Sequence, residues 1–235
     1  MVNERLAHLA QFYNLLEVLE SRSGKRTLSQ CHGRQDWPDR GVYFFFEPGE
    51  ERTTSGTGPR VVRVGTHAVT ATSKATLWKR LSQHRGSVES GGGNHRGSIF
   101  RLLVGEALAR RDPSLACSNW GQGSSAPAEI RRAEHPLEAL VSEHLGRMSL
   151  LCLPVLDAPS PRSQRGYIER NAIALLSNWG LETGEWNDLP SPEWLGRFSN
   201  RPEVTRSGLW NQKHISDSYD PAFLNVFSEL TDRKT

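Results

Sequence analysis

The chain has 235 residues, 36% of them hydrophobic, and carries 29 Lys and Arg against 26 Asp and Glu for a formal net charge of +3. That is enough apolar sequence for one ample core, yet no run approaches the roughly 18–20 apolar residues of a membrane helix. Cys31, Cys117 and Cys152 are widely spaced and form no CxxC pair, which argues against a disulfide framework or a cysteine zinc site and marks them as reduced, structural thiols.

The opening stretch "MVNERLAHLAQFYNLLEVLE" carries Glu4 and Arg5 early and spaces its leucines at helical intervals, unlike a signal peptide, so a soluble cytoplasmic protein is expected. Residues 3–20 are predicted to form an amphipathic helix with Leu6, Leu9, Tyr13, Leu16 and Leu19 on one side. "CHGRQDWPDR" has the composition of a loop, and "GVYFFFE" from Gly41 that of an aromatic strand. "PGEERTTSGTGPR" supplies the turn chemistry of a long hairpin loop, and "VVRVGTHAV" the second, antiparallel strand. A helix from about Ser73 to His84 follows. Its inward stripe, set by Leu77 and Leu81, runs through Arg80 and His84. A snorkelling arginine and a capping histidine would account for that pair; so would a functional cleft.

"GSVESGGGNHRG" is a glycine-rich loop without the GK[ST] ending of a nucleotide-binding loop. "SIFRLLVGEAL" is expected to be a strand and "RDPSLACSNWGQGSSAPAEI" an irregular excursion. "HPLEALVSEHLG" is predicted to be a helix opening at Pro136 and stopping at Gly146, with His144 structural. "SLLCLPVLD" then gives a strand and "RGYIERNAIALLSNW" a helix, in which Glu169 shares a stripe with Ala172, Ile173 and Leu176. "SPEWLGR" and "DPAFLNVFSEL" each begin as helices do, with a capping residue followed by proline. Trp179, Trp186, Trp194 and Trp210 are expected to form a satellite core.

The charge is unevenly placed. Between Arg60 and Arg101 there are eight Lys or Arg and one acid, Glu89, so the rest of the chain is net negative. A concentrated basic region is the electrostatic footprint of a phosphate-bearing partner, or else a solvated basic face.

"GVY" at 41–43, "RVG" at 63–65, "RLSQH" at 80–84 and a glutamate on the helix after the third strand resemble the motifs of the GIY-YIG nuclease superfamily. The resemblance covers about residues 41–86 and 148–178. It implies an α+β fold, a small antiparallel sheet flanked by helices, here with an inserted region at about 87–147 and a Trp-rich C-terminal extension. The expected organisation is an N-terminal helix and loop (1–40), a catalytic core (41–178) containing the insertion, and the extension (179–235).

The resemblance further implies a Mg²⁺-dependent endonuclease acting on DNA, and within the superfamily the chain looks most like stand-alone restriction endonucleases. Tyr43 would act as general base or position the attacking water, assisted by His84. Arg80 would bind the scissile phosphate through its fork of donors, and Glu169 would hold one Mg²⁺. The second motif's tyrosine is Arg63 here, a cation expected to contact the phosphate or favour the deprotonated form of Tyr43, unless the site is impaired. Asn211, with Asn178 as competitor, is carried over as the family's late asparagine. Lys74, Lys79, Arg85, His95, Arg96 and Arg101 are expected to contact nucleic acid, double-stranded DNA foremost, and a palindromic target would call for a homodimer. The alternatives are a non-catalytic nucleic-acid-binding protein on the same fold, or an RNA endonuclease.

Overall fold

The computed structural model describes residues 2–182 and 185–232. Its centre is a four-stranded antiparallel sheet ordered β1-β4-β2-β3, formed by β1 (Arg26–Thr27), β2 (Gly41–Glu51), β3 (Pro59–Gly65) and β4 (Ser149–Pro154). Among the described residues seven α-helices surround it: α1 (Val2–Ser23), α2 (Leu77–Arg85), α3 (Ile99–Arg111), α4 (Ala128–Gly146), α5 (Gln164–Leu176), α6 (Pro202–Ser207) and α7 (Phe223–Asp232).

Strand periodicity explains why the central sequence is apolar without alternating. Val42, Phe44 and Phe46 point to one face and join Leu9, Phe12 and Leu16 of α1, Ile168 and Ala172 of α5, and Phe223 and Phe227 of α7. Tyr43 and Phe45 point to the other, among Leu77 and Leu81 of α2, Phe100 and Leu103 of α3, and Leu137 and Val141 of α4. Both faces are covered, so residues 42–46 are apolar on both parities, and the one hydroxyl among them, Tyr43, is carried into the second core.

Three elements differ from expectation. "SIFRLLVGEAL" is helix α3: Ser98 caps it by accepting the Arg101 N–H at 3.3 Å, and Phe100, Leu103, Val104, Ala107 and Leu108 are buried at helical spacing. Pro136 lies inside α4, not at its start. Pro136 and Arg132 are both exposed, so the turn that loses a backbone hydrogen bond lies on the outer side of the helix. "SPEWLGR" makes only a 3₁₀ turn, Leu195–Phe198.

The tryptophans divide. Trp194 and Trp210 are buried, and both indole N–H groups donate to Glu47 Oε2 at 3.0 Å, while Trp186 is exposed. His144 approaches the other Glu47 oxygen at 3.1 Å, in the structural role expected of it. Burial would raise the Glu47 pKa, but His144, Trp210 and Trp194 together hold it below the ordinary value.

Candidate active site

Tyr43 stands opposite Gly65 of β3 and Cys152 of β4, in the middle of the sheet. Its hydroxyl lies 2.9 Å from His84 Nε2. α2 presents that histidine because Thr76 caps its start, accepting the Lys79 N–H at 3.2 Å, and because Leu77 and Leu81 pin the same face to the core. Arg80 is only half-buried, and its guanidinium donates to Gln83 Oε1 at 3.2 Å and to the Gly97 carbonyl at 3.3 Å. The stripe read from sequence therefore splits into a buried imidazole and an accessible guanidinium.

Arg63 is the hub. Its guanidinium packs 4.6 Å from the Phe100 ring centre, and Nη1 donates to the Trp210 carbonyl. Among the described residues its Nε has no hydrogen-bond partner. Burial disfavours its charged form; Tyr43 and Glu169 beside it favour that form, and Arg80 opposes it. Glu169, on α5, accepts the Thr66 N–H at 3.1 Å. Burial raises its pKa, against the pull of Arg63, the Thr66 N–H, His214 and Arg80. His84 is pushed well below the ordinary histidine value by burial and then by Arg80, Arg63 and Arg101, so it is neutral. Tyr43, Arg63, Arg80, His84 and Glu169 thus form one electrostatic unit.

Asn211 is engaged otherwise. Its Oδ1 accepts the Val64 N–H at 3.1 Å and its Nδ2 donates to the Val64 carbonyl at 2.9 Å, so the side chain acts as a neighbour for edge strand β3. Asn178 is spent in the same way on the backbone of Asn187, at 2.8 Å in both directions. The residue before Asn211 supplies the carbonyl that holds Arg63, which makes the segment part of the site's frame.

Half of the residues expected to contact nucleic acid are engaged in internal pairs. Arg101 is fully buried: Nε donates to Glu138 Oε2, and other donors reach the His84 carbonyl and Ser142 Oγ, all at 2.9 Å. Arg96 forms a fork to Glu134 with both bonds at 2.7 Å. His95 accepts the Gly121 N–H at 3.1 Å through Nε2, so its proton is on Nδ1 and is given to Glu138 at 2.9 Å, while the ring stacks 3.9 Å from Trp120. Lys74 and Lys79 remain exposed and Arg85 half-buried, its guanidinium over Trp78 at 5.2 Å.

Sequence reasoning missed Ser98, whose hydroxyl lies 2.7 Å from His84 Nδ1; its signal was its place as helix cap, hidden by reading the segment as a strand. It also missed His214, in a left-handed backbone conformation (φ 63°) with Nδ1 2.7 Å from Asp217 and its charge felt by Glu169.

The model of the GIY-YIG domain family matches residues 3–235. The chain belongs to the GIY-YIG family. No curated protein and no solved structure matches it. The match takes in the N-terminal helix, the insertion and the C-terminal extension as well as the motif-bearing core. GIY-YIG domains are nucleases, so the substrate class is nucleic acid. Among the described residues no helix is long and apolar enough to cross a membrane.

Glu169 suits a Mg²⁺ ion in this GIY-YIG site. One carboxylate oxygen takes the Thr66 N–H, the other meets no hydrogen-bond donor of the described residues, and a single hard oxygen ligand is what Mg²⁺ accepts when waters and phosphate complete its shell.

Proposed function

We propose that the chain is a Mg²⁺-dependent endonuclease that hydrolyses phosphodiester bonds of double-stranded DNA in a sequence-selective restriction or defence role. What supports the reading most is the convergence of a tyrosine–histidine pair, two arginines and one carboxylate around the end of β3. These are the groups needed to deprotonate water, receive a phosphate and hold a hard cation.

Tyr43 takes the proton of the attacking water, and His84, hydrogen bonded to its oxygen, orients it. Arg80, the accessible guanidinium, meets the scissile phosphate; Arg63, fixed by the Trp210 carbonyl, stands beside Tyr43 in place of the family's second tyrosine. Glu169 would hold the Mg²⁺, which supplies positive charge against the charge developing on the phosphate. Lys79 and Arg85 on α2, with Lys74 just before its start, provide the basic approach. One copy carries one set of these groups, so cutting both strands of a palindrome calls for a homodimer.

The test is cleavage of supercoiled plasmid, single-stranded DNA and RNA with Mg²⁺ or EDTA, beside Glu169→Ala and Arg80→Ala. Discrete Mg²⁺-dependent products lost in both variants are expected. A fully active Glu169→Ala protein would refute the metal role, salt-sensitive binding without cleavage would leave a binding protein, and cleavage of RNA alone would move the substrate.

A further inference from the structure

Ser98 belongs to the inserted region, between a 3₁₀ turn (His95–Gly97) and α3, and its residue surface is 1% exposed. Among the described residues its hydroxyl oxygen has two hydrogen-bonding neighbours: the Arg101 N–H, which it accepts as helix cap at 3.3 Å, and His84 Nδ1 at 2.7 Å. A hydroxyl brings one proton, and a buried proton without an acceptor is costly. The acceptor within reach of this one is the Nδ1 lone pair. In the opposite arrangement, Nδ1–H would donate to an oxygen already accepting from Arg101, and the Ser98 proton would be stranded.

His84 is neutral, so a lone pair on Nδ1 leaves its proton on Nε2, 2.9 Å from the Tyr43 oxygen. The same insertion grips the histidine from behind: Arg101 Nη1 donates to the His84 carbonyl at 2.9 Å and is itself held by Glu138 and Ser142. Ring and backbone of His84 are therefore both positioned by residues outside the motif-bearing core.

We propose that Ser98 is a positioning residue of the catalytic centre, fixing His84 as the Nε2–H tautomer so that His84 donates a hydrogen bond to Tyr43 instead of accepting its proton. The proposal rests on the endonuclease reading and assigns the direction of proton flow within it. In the reacting step Tyr43 gives its own proton to solvent, takes one from the attacking water while its oxygen accepts from His84, and releases that proton to solvent after the cut. The water oxygen's electron pair forms the new bond to phosphorus, and the bond to the leaving oxygen breaks with its electron pair, which is protonated from solvent.

Two measurements decide it. Long-range ¹H–¹⁵N spectra, with the His84 signals identified by their loss in His84→Gln, are expected to show the proton on Nε2 in the wild type and in Ser98→Thr, and mixed tautomers in Ser98→Ala. Single-turnover cleavage at saturating protein is expected to slow 10- to 100-fold in Ser98→Ala with DNA affinity unchanged, and to stay within threefold of wild type in Ser98→Thr. A wild-type proton on Nδ1, or full-rate cleavage by Ser98→Ala, would overturn the proposal. The tautomer is read without catalysis, so an inactive wild type would refute the endonuclease reading while the spectrum still decides the role of Ser98.

Discussion

Gly65 lies directly opposite Tyr43 on the neighbouring strand, and the tyrosine ring covers it so closely that a Cβ built at Gly65 would stand 2.6 Å from Tyr43 Cε2. The glycine of the second motif is thus the floor on which the tyrosine of the first one rests. Gly65→Ala is predicted to force the ring off His84, costing about 1–3 kcal/mol in thermal or urea unfolding and most of the cleavage activity. Wild-type activity in that variant would mean that the ring's seat is unimportant.

Glu169 is half-buried, and that burial works against its charge and raises its pKa. The folded state therefore binds this proton more readily than the unfolded chain, and the ionised group costs stability as pH rises through the folded value. Glu169→Gln removes that cost. It is expected to abolish cleavage while leaving the melting temperature unchanged or raising it, each 1 kcal/mol being worth about 2–4 °C in a chain of this size. Calorimetry at pH 7.5 provides the check; a large loss of stability would make the carboxylate a structural anchor.

Arg101 and Lys79 lie in the same basic stretch and are predicted to behave oppositely. Arg101→Ala leaves the buried Glu138 without its guanidinium, with His95 alone beside it, and is expected to cost about 3–5 kcal/mol of stability. Lys79→Ala, at an exposed position, should leave the fold untouched and reduce the slope of log affinity against log salt by about one. Urea melts and salt-dependent DNA binding distinguish the two, and a Lys79→Ala slope equal to wild type would remove α2 from the interface.

His67 follows β3, with Nε2–H donating to the Asp39 carbonyl at 3.2 Å and Nδ1 without a partner among the described residues. Burial, and then Arg165, Arg40 and Arg80, lower its pKa to about 4 against the pull of that carbonyl. Between the ordinary histidine value and 4, the unfolded chain binds a proton that the folded chain refuses, so stability falls as pH drops through this window and is regained above it. His84 acts in the same direction. Urea midpoints from pH 7.5 to 4.5 should decline, and less steeply in His67→Gln; an equal slope would contradict the assignment.

His84 and Glu169 were legible in the sequence because helix periodicity sets each on an apolar stripe where a polar group demands a reason, and Tyr43 through its place in the GVY motif and the resemblance it carries. The inserted region was harder to read. Arg96 and Arg101 count as free charge along the chain, but Glu134 and Glu138 meet them from about 38 residues away, a pairing that local charge counting cannot see. The apolar run of α3 satisfied a strand pattern, and the capping role of Ser98 became visible only with His84 beside it. Asn211 was found as a motif residue, while its use on the Val64 backbone depends on how residues 208–215 return to the sheet edge.

The most direct test of the account is the single-turnover cleavage rate of Tyr43→Phe at saturating protein, with DNA affinity and melting temperature measured on the same sample. The substitution removes one oxygen from a buried site and keeps the ring over Gly65. The account predicts a loss of about 10²–10⁴-fold in rate with binding and fold retained; cleavage within threefold of wild type would show that Tyr43 does not take the proton from water and that the site has been misassigned.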